Sequence, residues 1–248
     1  LSRVQVTQLA LIRELIEITG GAKILLENAG NIQDILPGAS PKLATILADK
    51  SLIELAEREM EFIEKNGIRL ICIGDDAYPY RLAECTDAPL VLHSMGNADL
   101  NSKHIVSIVG TRHASEYGKE LCANFVADLA RFVPDTLIVS GLAYGIDVCA
   151  HRAALKEGLP TIGVLAHGLD QIYPNSHRST AKSMLENGGL LTEFMSGTNP
   201  FPQFFVQRNR IVAGMADATV VVESASKGGS LITASLATHV IALHSLAE

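Results

Sequence analysis

The chain has 248 residues, of which 48% are hydrophobic and 19% are charged, and its formal net charge is −7. This composition supports a large core and is too poor in charge for a disordered chain. No apolar run approaches the ~20 residues of a membrane span, so no membrane insertion is predicted. The negative charge argues against a protein that coats nucleic acid indiscriminately, but a local anion site remains possible because affinity follows the local field.

The cysteines and the first residues indicate a cytoplasmic protein. Cys72, Cys85, Cys122 and Cys149 lack the spacing of a zinc site, and we expect buried free thiols in a reducing compartment. The first residues do not resemble a signal peptide. No metal ion and no cofactor are predicted.

Residues 1–66 are predicted to form a small helical domain. Apolar residues recur there every three or four positions, and glycine or proline turns separate the segments. The predicted helices are Val6–Thr19, Ala22–Asn28, Ile32–Leu36, Pro41–Leu47 and Leu52–Asn66. Short helices joined by glycine turns favour a small bundle, for which a helix-hairpin-helix arrangement is one interpretation.

Residues 67–248 are predicted to form a second, α/β domain. Short strands are expected over Ile68–Ile73 and Pro89–His93. Five further strands then alternate with helices: strands over Ile105–Val109, Leu137–Val139, Thr161–Leu165, Leu190–Thr192 and Thr219–Val222, and helices over Tyr117–Phe132, Asp147–Glu157, His177–Asn187, Phe204–Gly214 and Ser230–His239. The strands are continuously apolar, as in sheets covered on both faces. The pattern predicts a Rossmann-like, mostly parallel sheet with helices on both faces.

Four turns of this domain have the character of an anion site. They are Gly110–Ser115, Ser140–Asp147, Gly197–Phe201 and Glu223–Ser230. Glycine lets the backbone approach a ligand, and helix N-termini direct N–H groups at negative charge. Arg112 and Lys227 would add charge-assisted hydrogen bonds. Because parallel topology brings strand ends to one edge, the turns predict a shared phosphate pocket, whereas the alternative is that the glycines only make tight turns.

Two basic and aromatic residue sets beside these turns have open interpretations. Arg208 and Arg210 project about 200° apart on a helix, so they cannot both face one ligand. We expect one to reach the strand-end cleft and the other to pair with a carboxylate such as Glu193 or Glu223. A fold-organising ion pair is an alternative for each. Phe201 either stacks on a base or packs in the core.

No catalytic set is evident, so no enzyme activity is predicted. Asp147 and His151 lie at i and i+4 of one predicted helix, but no nucleophile accompanies them. Helix capping or orientation of the ring is the expected role of this pair. The run from Lys227 to Ser230 lacks the leading glycine and spacing of a P-loop.

The sequence resembles the DNA-processing protein A family, also called DprA or Smf. The matching runs are Val109–Arg112, Ser140–Asp147 with Ala150-His151, Tyr173-Pro174, Arg208–Gly214 and Glu223–Thr233. The resemblance implies a cytoplasmic protein that binds and protects single-stranded DNA during natural transformation and loads the RecA recombinase. It also implies a homodimer formed through the Rossmann domain, no catalysis, and a helical N-terminus of sterile-alpha-motif-like or helix-hairpin-helix type.

The predicted DNA or phosphate contacts follow from the turns and the resemblance together. They are Gly110, Thr111, Arg112, Ser140, Gly141, Tyr144, Gly145, Gly197, Phe201, Arg208, Arg210, Lys227, Gly228, Gly229 and Ser230. Tyr144 stands where the family often has arginine, and a stacking tyrosine would be a substitute. After Ala237 the family continues into another strand, and the run from Thr238 to Ile241 departs from that pattern. This departure indicates either missing residues or a shortened chain.

Two other functions remain open from the sequence. The run from Lys227 to Ser235 is comparable to the motif of Lonely Guy-type phosphoribohydrolases, although Ser235 replaces the catalytic glutamate. That replacement argues against hydrolysis but leaves a nucleotide-binding pocket possible. A scaffold that acts through protein partners of the acidic N-terminal bundle is the third interpretation.

Overall fold

The computed structural model describes residues 9–35, 45–47, 49, 51–224 and 229–243. The chain divides into two units, Leu1–Gly67 and Ile68–Glu248.

In the described ranges, all regular secondary structure of the first unit is helical. Its helices are α1 (Leu9–Thr19), α2 (Ala22–Glu27), α3 (Ile32–Ile35) and α4 (Ser51–Asn66). Leu9, Ile12 and Leu15 recur at helical spacing on α1 and are buried. Gly20 and Gly21 both have positive φ and separate α1 from α2. Most of the predicted helix Pro41–Leu47 lies outside the described residues.

The second unit is built on an eight-stranded sheet. Its strands are β1 (Arg69–Cys72), β2 (Val91–Gly96), β3 (Ile105–Gly110), β4 (Leu137–Ser140), β5 (Thr161–Val164), β6 (Gly188–Thr192), β7 (Ala218–Val222) and β8 (Val240–Leu243). Its helices are α5 (Tyr80–Ala83), α6 (Glu116–Phe132), α7 (Ile146–Glu157), α8 (Arg178–Met184), α9 (Pro202–Gly214) and α10 (Gly229–Leu236). The strand order is β1-β2-β6-β5-β4-β3-β7-β8.

The sheet is parallel except where β2 pairs with β1 and β6. Consecutive residues of one strand enter different cores: Leu137 and Val139 belong to one buried cluster, and Ile138 belongs to the other. Burial on both faces explains why the strands are continuously apolar. The predicted Rossmann-like fold is therefore confirmed.

The largest difference from the predicted elements is β8. Val240–Leu243 pairs in parallel with β7, from Thr219 opposite Val240 to Val222 opposite Leu243. The departure from the family pattern after Ala237 therefore does not remove the strand. Two boundaries also differ: α8 ends at Met184, and α9 begins at Pro202 because proline suits the first helical position.

The strand order places a topological switch in the sheet. From β3 the chain moves through β4 and β5 to β6 on one side, whereas β7 and β8 lie on the other side of β3. Ligands of open α/β sheets bind at such a switch, outside the carboxyl ends of the strands. The fold thus directs attention to the ends of β3 and β7.

Candidate functional site

A cleft of about 460 Å³ lies at the carboxyl ends of β3 and β7. The turn after β4, the segment around Tyr173 and the first half of α9 complete its walls. Its lining includes Gly110, Thr111, Arg112, Ala143, Asp147, Tyr173, Pro200, Pro202, Phe205, Val206, Arg208, Asn209, Gly229, Ser230 and Thr233. The cleft thus brings together five predicted contacts from the turns after β3 and β7, namely Gly110, Thr111, Arg112, Gly229 and Ser230.

The turn after β3 is fixed by neighbours on both sides. The Thr111 N–H donates to the Glu223 carbonyl at 2.8 Å, and the Ile146 N–H donates to the Thr111 carbonyl at 3.2 Å. Gly145 has φ 76°, and a Cβ atom there would overlap the Thr111 carbonyl oxygen. Glycine at this position therefore lets α7 begin directly against the β3 turn, which keeps Gly110 and Thr111 at the cleft wall.

Arg112 presents its charge at the cleft surface. The side chain is exposed, and its guanidinium carbon lies 5.2 Å from the centroid of the Phe205 ring. This distance is in the range of a cation–π contact. Phe205 in turn meets Tyr173 edge-on, with ring centroids 5.8 Å apart. A cation and two aromatic rings therefore lie side by side along one wall.

The turn after β4 is held by the carboxylate of Asp147, a residue of the chain rather than a bound ligand. Oδ2 of Asp147 accepts hydrogen bonds from the N–H groups of Gly141 at 3.2 Å and Ala143 at 3.4 Å. The Ser140 hydroxyl is buried and donates to the Ile108 carbonyl. Ser140 is therefore not brought to the cleft, and the N–H of Gly141 is already satisfied by a carboxylate where we expected a ligand phosphate.

Asp147 is not a partner of His151. The His151 Nδ1 atom makes a hydrogen bond of 2.7 Å with the Thr161 hydroxyl. Burial, with Arg208 and His177 nearby, lowers the pKa of His151 to about 3. The ring-orienting role for the pair is therefore wrong, and Asp147 instead holds the backbone of the β4 turn.

Arg208 reaches the cleft from α9 but is almost fully buried. Its Nη1 atom donates to the carbonyls of Gly141 and Val164 at the ends of β4 and β5. Burial lowers the pKa of Arg208 to about 10, which Asp147 opposes, so the side chain stays charged at neutral pH. Burial raises the pKa of Asp147, and Arg208 is the first influence that counters it. Arg208 and Asp147 therefore each stabilise the charged form of the other at the cleft floor.

Arg210 points away from the cleft. It forms an ion pair with Glu193, and its Nη1 atom donates to the Asp87 carbonyl at 2.7 Å. The expectation that one arginine reaches the cleft while the other pairs with Glu193 is confirmed. The structure does not bring Arg210 to the cleft as a phosphate contact, because its guanidinium is buried in this ion pair.

The remaining predicted contacts flank the cleft. Phe201 is 50% exposed at the start of α9 and packs edge-on against Phe204, so it is not a core residue. Tyr144 is 49% exposed and meets His177 edge-on at 5.0 Å. Gly197 is exposed, and its N–H donates to Asp170 at 3.0 Å. None of the three belongs to the described lining of the cleft.

The turn after β7 is described only in part, since Lys227 and Gly228 lie outside the described residues. Gly229 and Ser230 begin α10 and line the cleft. The Ser230 hydroxyl makes a hydrogen bond of 2.7 Å with that of Ser224. This bond links the start of α10 to the end of β7.

The predicted contacts do not include Tyr173, Phe205 and Asn209, which the structure brings to the cleft. Tyr173 is predicted only as part of a run that matches the family, although an aromatic residue beside a strand-end turn is a usable signal for a binding site. Within the described ranges, no cluster of three or more His, Cys, Asp or Glu side chains could hold a metal ion. The same ranges contain no helix with the length and apolar character needed to span a membrane.

Comparison with known proteins identifies the family. The model of the family described as DNA recombination-mediator protein A matches residues 69–242. The chain belongs to this family. It is 39% identical over 204 residues to DNA processing protein DprA of Streptococcus pneumoniae, covering 82% of this chain and 70% of that protein. It is 38% identical over 198 residues to a putative DprA of Mycobacterium tuberculosis, covering 75% of this chain.

Two solved structures of family members resemble the fold. That of Streptococcus pneumoniae DprA has a TM-score of 0.70 at 29% identity, covering 99% of this chain and 89% of that one. The second structure is that of DNA processing protein A from Helicobacter pylori and was described for its single-stranded DNA binding mode. It has a TM-score of 0.65 at 27% identity, and the match covers 73% of this chain and 83% of that one. The chain spans only 50% of the length of its Mycobacterium tuberculosis relatives.

Proposed function

We propose that the protein binds single-stranded DNA in the cleft at the carboxyl ends of β3 and β7 and protects incoming DNA during natural transformation. The observation that carries this proposal is the exposed Arg112 guanidinium stacked on Phe205 beside the exposed Tyr173. An arginine can bind a backbone phosphate while the aromatic rings stack on bases. Bases can reach such rings only when they are unpaired, which favours a single strand over a duplex.

The charge distribution supports Arg112 as the main ionic contact. Arg208 is buried against Asp147, whereas Arg112 is exposed at the cleft mouth. The contacts proposed alongside it are Gly110, Thr111, Gly229 and Ser230, together with Lys227 and Gly228, which precede Gly229 in the sequence. Tyr144 and Phe201 would extend the binding path beyond the cleft.

The experiment measures fluorescence anisotropy of labelled single- and double-stranded oligonucleotides over a salt series. Arg112→Ala should weaken single-strand binding about 10- to 150-fold, since a hydrogen bond to a charged group contributes roughly 1.5–3 kcal/mol. The slope of log affinity against log salt should fall by about 0.7 per lost phosphate contact.

Arg131→Ala is the matched control for this measurement. Arg131 is also an exposed arginine stacked on an aromatic ring, 5.0 Å from the Phe132 centroid, but it lies at the far end of α6. Its removal should leave affinity unchanged. Binding of the Arg112→Ala variant as tight as that of the unsubstituted protein would refute the cleft assignment. If nucleoside monophosphates displace the labelled oligonucleotide when added at the same concentration as the oligonucleotide, the nucleotide-binding alternative would be favoured instead.

We further propose the family's remaining properties for this chain: a cytoplasmic, non-enzymatic protein that loads the RecA recombinase and forms a homodimer through residues 67–248. Residues 1–66 would be a sterile-alpha-motif-like or helix-hairpin-helix domain. Exposed Leu231, Ile232 and Leu236 on α10 support a contact between copies. Light scattering tests the dimer: Leu236→Arg should halve the mass, and a mass that is monomeric before substitution would contradict it.

A further inference from the structure

Two of the four cysteines meet where α6 packs on α7. Cys122 lies on α6, and Cys149 lies on α7 beside Ala150 and Ala153. These small side chains share one buried cluster, which allows the helices to approach closely. A disulfide requires Cα atoms within about 7 Å, which such a packing can provide.

The two thiols lie on facing turns of these helices. The Cys149 thiol lies 3.4 Å from the carbonyl of Lys119, one helical turn before Cys122. The interaction between the two thiols is the largest influence on the pKa of each. Cys122 is fully buried, whereas Cys149 is partly exposed. Solvent-borne reagents can therefore reach Cys149 first, with Cys122 immediately behind it.

The electrostatic surroundings distinguish the two thiols. The interaction with Cys122, with Lys119 and Arg152 nearby, lowers the pKa of Cys149 to about 7. The pKa of Cys122 is raised, because the interaction with Cys149 and burial both disfavour its thiolate. A thiolate is the nucleophilic form of cysteine, so Cys149 has the character of an attacking residue and Cys122 that of a resolving residue.

We propose that Cys149 and Cys122 form a redox site that a hydroperoxide converts to an intramolecular disulfide. The Cys149 thiolate attacks one peroxide oxygen, the O–O bond breaks, and the alcohol or water leaves after taking up a proton. Cys149 is then a sulfenic acid. The Cys122 sulfur attacks it, the S–O bond breaks, and water leaves with the Cys122 proton. Two electrons pass from the two thiols to the peroxide, and a reducing thiol reverses the change.

The site lies outside the cleft and requires no DNA. The redox proposal can therefore be tested separately from the proposed function. It joins the two helices that follow β3 and β4. Cys72 and Cys85 serve as internal references, because burial raises the pKa of both thiols. They should react more slowly with the same reagent.

The test exposes the full chain to stoichiometric hydrogen peroxide, blocks the remaining thiols after denaturation, and maps the peptides by mass spectrometry. We expect loss of two of the four thiols, a linkage between the peptides of Cys122 and Cys149, and recovery with dithiothreitol. Cys149→Ser should keep its three thiols. Cys122→Ala should stop at a sulfenic acid that dimedone traps, and the Cys72→Ser and Cys85→Ser double variant should still form the disulfide.

Several results would overturn the proposal. One is that Cys122 and Cys149 stay reduced while Cys72 or Cys85 is oxidised. Another is that the disulfides formed join different chains on a non-reducing gel. The pH dependence of Cys149 alkylation is a second readout, with a midpoint expected near pH 7. A midpoint at the ordinary value of about 8.5 would exclude Cys149 as the attacking thiol.

Discussion

Replacing Glu193 with glutamine should destabilise the fold by about 3–5 kcal/mol, the typical cost of removing one partner from a buried ion pair. Glu193 and Arg210 are both less than a tenth exposed. Burial raises the pKa of Glu193, and Arg210 is the first influence that opposes this change. The substitution leaves a buried guanidinium without its counter-charge, while the bond from Arg210 to the Asp87 carbonyl remains. That surviving bond places the expected cost near the lower end of the range.

The double variant Glu193→Leu with Arg210→Met is the matched comparison. Replacing a whole buried ion pair with apolar residues is often neutral or stabilising. The Asp87 carbonyl would lose a donor, which costs about 1 kcal/mol. Glu193→Gln is expected to cost about 3 kcal/mol and the double variant about 1 kcal/mol. The double variant should therefore be about 2 kcal/mol more stable than Glu193→Gln.

Urea unfolding followed by circular dichroism gives these free energies from the midpoint and slope. Single-strand affinity should be unchanged in the double variant, because Arg210 faces away from the cleft. The reasoning fails if Glu193→Gln costs less than about 1 kcal/mol, or if the double variant is no more stable than the single one. Loss of DNA binding in a folded double variant would restore Arg210 as a contact.

Three further predictions address other parts of the domain. Because His151 stays neutral in the fold down to about pH 3, the unfolded chain binds the extra proton as pH falls below about 6.5. Stability should drop by about 2 kcal/mol at pH 5, and His151→Asn should remove that part of the urea-unfolding pH profile; an unchanged profile would contradict this. Gly141→Ala should cost about 1–3 kcal/mol, since a Cβ would overlap the Arg208 guanidinium, whereas Gly30→Ala, which meets nothing within 4 Å, should be nearly neutral by the same assay. Tyr144→Ala should weaken single-strand binding about fivefold or more while Tyr144→Phe should not, if the ring stacks on a base; equal anisotropy curves would exclude stacking.

The sheet could be predicted because its strands carry the signal themselves. Leu137–Ser140 is apolar on both faces and is buried at every position, so its pattern reflects its place between two layers. β8 was missed because Val240 and Ile241 are about half exposed at the sheet edge, and the short run follows a break in the family pattern. An edge strand leaves a weaker pattern than a central one.

The site was predictable in outline but not in its internal assignments. Helical geometry separated Arg208 from Arg210, yet only tertiary packing decides which of them meets Glu193. Asp147 was recognised as structural, but its bonds to Gly141 and Ala143 depend on the left-handed conformation of Leu142, with φ 57°. The contact between Arg112 and Phe205 joins residues distant in sequence, and no local pattern encodes it.

The position of the cleft at the switch between β3 and β7 has a consequence for folding. Its walls come from segments more than a hundred residues apart, as the hydrogen bond from Thr111 to Glu223 shows. The cleft is absent until β7 has paired with β3, so a ligand can recognise only molecules that have completed this long-range step. Binding of a labelled oligonucleotide during refolding would time that pairing. A bound ligand would selectively stabilise the finished sheet, by RT ln(1 + [L]/Kd), against any partly assembled form.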